Sequence, residues 1–490
     1  MNINHLLTLL TDFLLHPDKG WSFCTVPFWV LFLVFYAVYL LLCRSRRPLM
    51  LSYVIVFSLF FAWKANGILM LLLPGTAVLS WWLTDVMRKT ESNGKRKALL
   101  WTNIVLTLLP LVYYKYANFL LLTFSTLLQG NFAPLDIFLP IGISFYTFQA
   151  ISYTVDVYKQ KFTLPVNLLE YFFYLTFFPL LMAGPITRAD VLFPQIKAEP
   201  RYDNALVYGG LWLIICGLIK KALIADYIAG YNNWIFDDPT SYSGFEDLMG
   251  VFGYTLQIYC DFSGYSDMSI GMAALMGFEL KENFNFPYQS LNLTEFWRRW
   301  HIALSTWFRD YVYIPLGGNR KGRARTYLNS FITMLVSGLW HGASWMFVLW
   351  GAIHGAGLVV HKACKRWLDR IPDRWPVRMV AWMVTFTYVS WAWIFFRAKD
   401  LDTAFALMSH VWTDFSWDYL VPFIIARPMW SLFVALGLEL HSIRQKDFQW
   451  MQSLFIRSPW VVKLLVFIIV VQLVINFRQA NVQPFIYAQF

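Results

Sequence analysis

The segment FITMLVSGLWHGASWMFVLWG, residues 331–351, places one histidine, His341, between two apolar runs. His341 lies 16 residues beyond the basic residue Arg325 (341 − 325), which is roughly 24 Å along a helix. The basic residues between His361 and Arg366 predict that the chain has then returned to the side of the membrane on which it started. The segment therefore predicts a histidine deep in a membrane, near the turn between two short helices.

An imidazole at this depth favours a function, because ionisable side chains in lipid are costly and mark functional sites. A neutral imidazole can act as a general base on a hydroxyl group. The alternative is a structural histidine that is hydrogen-bonded to a carbonyl or enclosed by tryptophans.

Apolar blocks of this kind recur along the whole chain. Hydrophobic residue types make up 58% of the 490 residues and charged types 14%, against roughly 45–50% and about 25% in ordinary soluble domains. This composition excludes a soluble enzyme, a disordered chain and a secreted disulfide scaffold. The blocks predict one all-α polytopic integral membrane domain, 1–490, with about 11–13 transmembrane or re-entrant helices. They lie at 27–43, 51–83 (two crossings, with a turn at 64–67), 98–128, 136–157, 168–186, 205–231, 248–276, 326–346, 346–361, 377–396, 418–438 and 461–477.

The net charge of +11 comes from 40 basic and 29 acidic residues. The basic residues lie mainly in short loops between apolar blocks, as the positive-inside rule requires of cytoplasmic loops. No nucleic-acid-binding module accompanies them, so no nucleic-acid partner is predicted. The five cysteines are scattered without paired spacing, which predicts neither a disulfide framework nor a metal site.

The interval 279–325 is rich in both basic and aromatic residues, and we expect short interfacial or re-entrant helices at the cytoplasmic face. Helical spacing would put Trp297, His301 and Ser305 on one face. His301 is a candidate functional residue, although a packing role is the stronger alternative by residue type. For His354 a packing role is as favoured as any other, and the remaining histidines are expected to be solvated.

A second polar group, Asp261, Ser263, Tyr265 and Asp267, lies inside an apolar block with Gly264 at its centre. Two acids at this depth must be paired, hydrated or protonated. One interpretation is a broken helix that lines a polar cavity. The other is a hydrogen-bond network between helices that only holds the bundle together.

The C-terminal aromatic residues Phe485, Tyr487 and Phe490 would usually anchor the chain at the membrane interface. A phenol can also serve as a nucleophile or acyl carrier when a base activates it. Both interpretations of Tyr487 remain open at the level of residue type.

Four long motifs, in this order, resemble the membrane-bound O-acyltransferases, and in particular their bacterial alginate O-acetyltransferase and D-alanyl-teichoic-acid transferase branch. The resemblance is dense over about 184–355, covers the flanking spans more loosely, and extends to the tail FIYAQF at 485–490. The motifs are GPITRAD, DFSGYSDMSIGMAALMGFELKENFNFPYQS, EFWRRWHIALSTWFRDYVYIPLGGNR and GLWHGASWMFVLWGAIHG. Several long motifs in a fixed order are far more specific than one short pattern.

This resemblance implies helices ringed around a central funnel and tunnel. It implies that His341 and His301 are catalytic and that Tyr487 is an acyl relay. The candidate lining residues are Asp261, Ser263, Tyr265, Asp267, Trp300, Ser305, Arg309 and Trp340.

The implied reaction moves an acyl group, most simply acetyl, from a cytoplasmic thioester donor (acetyl-CoA or an acyl carrier protein) across a bacterial cytoplasmic membrane. The acceptor would be a cell-envelope or secreted polysaccharide, reached through an extracytoplasmic SGNH-type acetyltransferase or a small acyl-relay protein. No metal and no tightly bound cofactor is implied. D-alanyl transfer to a teichoic-acid-type polymer is one alternative. A secondary transporter with Asp261 and Asp267 at an ion site is an alternative of another class.

Overall fold

The computed structural model describes residues 8, 23–43, 47–182 and 184–477. Over these residues the chain is helical and contains no β-strand, which confirms the all-α prediction. Six helical segments among them are long and apolar enough to cross a membrane, and a pair bent by 103° would make a seventh. The six are Arg47–Lys89, Asn93–Leu127, Asn204–Asp237, Trp345–Leu368, Trp375–Arg397 and Trp460–Phe477, and the bent pair is Trp417–Ala426 with Pro428–Ser442.

These segments make the chain a multi-pass membrane protein. The predicted blocks at 377–396 and 461–477 fall within two of the six segments. The count of about 11–13 crossing and re-entrant segments, which includes shorter and bent pieces, stays a prediction.

The described residues divide into two compact units, and the prediction of a single domain stays a prediction. The first unit comprises Met1–Leu211 and Ser269–Lys281, and its interior is filled by aromatic side chains such as Phe28, Phe178 and Tyr171. Its helices are α1 (Val26–Leu42), α2 (Arg47–Asn66), α3 (Leu72–Lys89), α4 (Asn93–Leu111), α5 (Ala117–Leu127), α6 (Ile143–Tyr158), α7 (Leu168–Thr176), α8 (Phe178–Leu181) and α9 (Ala189–Lys197).

The second unit comprises Trp212–Met268 and Glu282–Phe490, and its interior contains the fully buried indoles of Trp300, Trp350 and Trp393. Two helices run through the unit boundaries, α10 (Asn204–Leu218) and α12 (Gly244–Leu275). The others are α11 (Asp226–Asp237), α13 (Leu293–Arg299), α14 (Ile302–Phe308), α15 (Arg323–His341), α16 (Trp345–Leu368), α17 (Trp375–Arg397), α18 (Leu401–Thr413), α19 (Leu420–Ala426), α20 (Pro428–Ser442), α21 (Gln445–Arg457) and α22 (Trp460–Phe477).

The break between α2 and α3 falls at the 3₁₀ segment Gly67–Leu71, which begins at the last residue of the predicted turn at 64–67, while residues 64–66 still belong to α2. Gly67 has φ of +54°, a left-handed conformation that residues with a Cβ atom seldom adopt. Glycine at this position therefore allows α2 to end there.

Helices α15 and α16 pack closely because glycines face one another where they meet. A Cβ atom on Gly351 would lie 2.5 Å from the Met334 carbonyl oxygen, and one on Gly338 would overlap the Phe347 carbonyl oxygen. Small residues of this kind allow membrane helices to approach backbone to backbone. The two helices are joined by a short turn in which the Ser344 hydroxyl accepts a hydrogen bond from the Met346 N–H at 3.2 Å.

Replacing Gly351 with alanine is expected to lower the free energy of unfolding by about 1–3 kcal/mol, because the added methyl group forces the two helices apart. The matched control is Gly230→Ala, since no atom lies within 4 Å of a Cβ built there. Thermal unfolding in detergent measures both variants. An unchanged melting temperature for Gly351→Ala would contradict the close packing of α15 and α16.

Candidate active site

His341 is the last residue of α15 and is only 2% exposed. Aromatic rings surround its imidazole, with centroid distances of 5.1 Å to Trp340, 4.9 Å to Trp350 and 5.4 Å to Phe396. The structure confirms the predicted place of His341 beside the turn between two helices. The aromatic surroundings give the imidazole a largely apolar environment.

His301 lies at a break in the chain between α13 and α14, where its φ of +41° is left-handed. The prediction that Trp297, His301 and Ser305 share one helical face is therefore wrong in its premise, since no single helix contains all three. The break is held by the Ile302 N–H, which donates to the Asn283 carbonyl oxygen at 2.9 Å. The His301 side chain is fully buried.

Burial lowers the pKa of His301 to about 3, so the imidazole is neutral at physiological pH. Its Nδ1 atom lies 3.1 Å from the Asn283 side-chain oxygen. Asn283 was not among the predicted site residues. The motif that carries the resemblance contains it, but nothing in its spacing from His301 indicates the contact.

Trp340 connects the two histidines. Its ring centroid lies 6.2 Å from that of His301 and 5.1 Å from that of His341. The structure thus brings together the two histidines that the sequence singled out, with one of the predicted lining residues between them.

A cavity of about 180 Å³ lies among α13, α14, α15 and α16. Trp297, Ser305, Ser337 and Leu358 are among its lining residues. Ser337 lies one helical turn before His341, or about 6 Å along the axis. The cavity wall therefore ends one helical turn before His341 on α15, and it includes Ser305, whose role as a substrate-lining residue stays a prediction.

The other two predicted lining residues in this region lie apart from the cavity wall. Trp300 is buried against Phe296 and Trp393, with centroid distances of 5.6 and 5.0 Å. Arg309 is exposed and pairs with Asp310 at 2.8 Å. That hydrogen bond raises the pKa of the Arg309 guanidinium.

Asp261 and Asp267 form ion pairs with two consecutive lysines on the π-helical segment Ile219–Ala225. Lys221 pairs with Asp261 and also with Asp226 at 2.7 Å, while Lys220 pairs with Asp267 at 2.5 Å. Because burying a charge is costly unless it is paired, these contacts explain how two acids are tolerated here. Neither lysine was among the predicted site residues.

Of the two interpretations of Asp261–Asp267, the broken helix is wrong, since α12 runs without a break from Gly244 to Leu275. Gly264 instead allows a close approach, because a Cβ atom there would lie 2.9 Å from the backbone of both Gly217 and Lys221. The structure therefore agrees with the second interpretation, in which these polar residues form a network between helices. Of the neighbouring residues, Ser263 is buried and Tyr265 has the Lys221 ammonium 5.4 Å from its ring centroid.

Three histidines expected to be solvated are hydrogen-bonded instead, because contacts distant in sequence provide their partners. His441 is 6% exposed and its Nε2 accepts from the Tyr288 N–H at 3.0 Å. His410 lies 2.9 Å from Asp247, and His361 lies 2.9 Å from the Thr294 hydroxyl.

Two predictions remain, one on the C-terminal tail and one on metal binding. Tyr487 and the C-terminal tail at 485–490 lie outside the described residues. Among the residues that the structure describes, no group of three or more His, Cys, Asp and Glu side chains is placed to hold a metal ion.

Comparison with known proteins identifies one family and several relatives. The model of the membrane-bound O-acyltransferase family matches residues 157–399. The chain is 35% identical to a peptidoglycan O-acetyltransferase of Helicobacter pylori, over 76% of each chain. It is 38% identical to a probable alginate O-acetylase of Pseudomonas aeruginosa, over 81% of this chain and 76% of the relative. A teichoic acid D-alanyltransferase of Bacillus subtilis is 28% identical, over 60% of this chain and 77% of the relative.

Proposed function

Because the chain belongs to the membrane-bound O-acyltransferase family, we propose that it moves an acetyl group across the membrane for O-acetylation of a polysaccharide. That it is a multi-pass membrane O-acyltransferase follows from its family and its helices. The acetyl group, the donor and the polymer are parts of the proposal. Relatives named for acetyl transfer to peptidoglycan and alginate, at 35% and 38% identity, support them.

The observation that carries the proposal is the position of the cavity relative to the two histidines. The cavity wall reaches Ser337, one turn from His341, and Trp340 contacts both His341 and His301. In this proposal a thioester bound in the cavity reacts at His341, one helical turn beyond Ser337, with His341 as the general base. His341 takes the proton of the acceptor hydroxyl, the hydroxyl oxygen bonds to the thioester carbon, and the carbon–sulfur bond breaks. The thiol leaves with that proton.

Arg298 supports a phosphate-bearing donor. It lines the cavity, is exposed, and has no ion-pair partner among the described residues. Lys362 adds a second positive charge to the lining. In acetyl-CoA and in an acyl carrier protein, the arm that ends in the thioester carries a phosphate at its other end. A positively charged surface raises the local concentration of such donors.

On the other side of the membrane, the acceptor in this proposal is an extracytoplasmic SGNH-type acetyltransferase or a small acyl-relay protein. It would pass the acetyl group to a cell-envelope or secreted polysaccharide. The bacterial relatives support a place in the bacterial cytoplasmic membrane, as a multi-pass protein.

D-alanyl transfer is a second candidate, supported by the relatives named for that activity in Bacillus subtilis and Streptococcus thermophilus, at 28% and 29% identity. Two findings argue against the alternative that the chain is a secondary transporter. The family is one of acyltransferases, and the helix that carries Asp261 and Asp267 is unbroken.

The test uses the purified full-length chain in lipid vesicles, supplied with either acetyl-CoA or a D-alanyl carrier protein. We expect labelled acetyl groups to reach a hydroxyl acceptor, and ester content of the producing strain's polysaccharide to fall when the chain is removed. Transfer of D-alanyl groups without transfer of acetyl groups would show that the acyl group in the proposal is D-alanyl and not acetyl. Absence of transfer from every thioester would overturn the proposal.

Replacing Tyr487 with phenylalanine is expected to abolish transfer to the extracytoplasmic acceptor while the protein remains folded, because only the nucleophilic hydroxyl is removed. Ester content of the polysaccharide and protein amount in the membrane measure the two effects. Tyr419→Phe, which removes the hydroxyl of an exposed tyrosine, is the control. Full activity of Tyr487→Phe would leave this tyrosine as an interfacial anchor.

A further inference from the structure

The Asn283 side chain is held from two sides and is 1% exposed. Its amide nitrogen donates to the Ser266 hydroxyl at 3.1 Å. Its side-chain oxygen accepts from the Ala303 backbone N–H at 3.2 Å. The same oxygen lies 3.1 Å from His301 Nδ1. A backbone N–H can only donate, so the side-chain oxygen of Asn283, and not its nitrogen, must face the Ala303 N–H. This contact fixes the orientation of the Asn283 amide.

This orientation determines the tautomer of His301. The Asn283 oxygen is an acceptor only, so Nδ1 of His301 must carry the hydrogen that joins them. A neutral imidazole carries one ring hydrogen, which leaves Nε2 with a lone pair. Nε2 is buried and has no hydrogen-bond partner among the described residues. It is therefore the nitrogen that can accept a proton or a hydrogen bond from a reacting group.

We propose that Asn283 is a positioning residue for acyl transfer, which holds the His301 ring in the Nδ1–H tautomer with Nε2 as the acceptor atom. The inference rests on the proposed function insofar as it makes His301 part of the reaction. The tautomer itself follows from the contacts of Asn283 alone. Partners that orient metal-ligating histidines change activity by about 10–100-fold when they are removed, and we expect an effect of the same order for Asn283.

The rings that the described part of the chain places around His301 are uncharged. Its ring neighbours are Phe262 of α12 at 4.6 Å, Phe284 at 6.3 Å and Trp340 of α15 at 6.2 Å. The acids on α12 beside Phe262 are Asp261 and Asp267, which are paired with Lys221 and Lys220. On the α15 side, the titratable group next to Trp340 is His341, with 5.1 Å between the two ring centroids.

The decisive variant is therefore Asn283→Asp, which keeps the acceptor oxygen and adds a carboxylate beside Nδ1. The carboxylate stabilises the protonated imidazole, so the pKa of His301 rises by about 1–3 units. At low pH, the neutral form of the His301 imidazole is then a smaller fraction of the protein molecules. We expect the acidic limb of the pH–kcat profile to move upward, with activity retained at higher pH. Asn283→Leu removes the acceptor and should lower kcat about 10–100-fold.

Asn285→Asp is the matched control, because it adds the same charge two residues away, where the side chain contacts Glu282 rather than His301. Its pH profile should equal that of the unaltered chain. An Asn283→Asp protein that is folded and has an unshifted pH profile, together with wild-type kcat for Asn283→Leu, would overturn the proposal.

The tautomer can be read without any donor, by ¹⁵N NMR of the full chain labelled at histidine, with His301 assigned through His301→Gln. We expect protonated Nδ1 and unprotonated Nε2 in the unaltered chain, and loss of this preference in Asn283→Leu. The reverse tautomer would overturn the proposal even if acyl transfer is intact. The expected tautomer without transfer from any thioester would instead refute the proposed function.

Discussion

Replacing His341 with glutamine is expected to lower acyl transfer by at least about 100-fold, because a general base in the reaction contributes roughly 10²–10⁴ in rate. Glutamine keeps a polar group of similar length at this buried position but cannot take a proton from a hydroxyl. Since His341 is 2% exposed among Trp340, Trp350 and Phe396, no other base can easily replace it from solvent. Ester content of the polysaccharide and initial transfer rates in vesicles both measure the effect.

The control is His410→Gln, at a histidine of the same unit that is hydrogen-bonded to Asp247. Glutamine there retains an N–H donor for the carboxylate, so we expect activity within about twofold of the unaltered chain. The amount of each variant in the membrane must match. Wild-type ester content with His341→Gln present in the membrane would contradict the catalytic assignment of His341.

Replacing Lys221 with methionine is expected to cost about 3–5 kcal/mol of folding free energy, because it leaves buried carboxylates without their cation. The Lys221 side chain is fully buried and pairs with both Asp226 and Asp261. Methionine preserves most of the volume, so the effect reports charge rather than packing. The measurement is the thermal unfolding of the purified protein, together with the amount inserted in the membrane.

Lys365→Met is the matched control, since Lys365 pairs with Asp369 at 2.7 Å but both side chains are more than half exposed. An exposed pair contributes at most about 1 kcal/mol. The double variant Lys221→Met with Asp261→Asn should recover part of the lost stability, because it removes one unpaired charge. An unchanged melting temperature for Lys221→Met would show that the ion pairs do not stabilise the second unit.

The sequence predicted those features of the site that depend on local pattern. The position of His341 beside a turn followed from the distance to the nearest basic residues, since apolar length and flanking charge are local properties. The break before α3 followed from the residues around Gly67. The shared helical face of Trp297, His301 and Ser305 failed, because His301 adopts a left-handed conformation that is held by the distant Asn283 backbone.

The charged groups on α12 show why such contacts cannot be read from the sequence alone. Two acids in an apolar block require partners, and the sequence alone leaves open whether these are water, protons or cations. The partners of Asp261 and Asp267 are Lys221 and Lys220, which lie 40 (261 − 221) and 47 (267 − 220) positions earlier in the chain. They reach the acids because Gly264 and Gly217 let two helices approach closely.

By itself the sequence determined that this protein is a helical membrane protein, and its motifs indicated the acyltransferase family. These properties depend on composition, on the length of apolar runs and on residue order, all of which a chain carries before it folds. Only the tertiary structure decided which side chain lies against the His301 ring, which lysines pair with the buried acids, and which residues form the cavity. Each of these depends on hydrogen bonds and ion pairs a few ångströms long between segments distant in sequence, and only the packing of the helices brings such segments together.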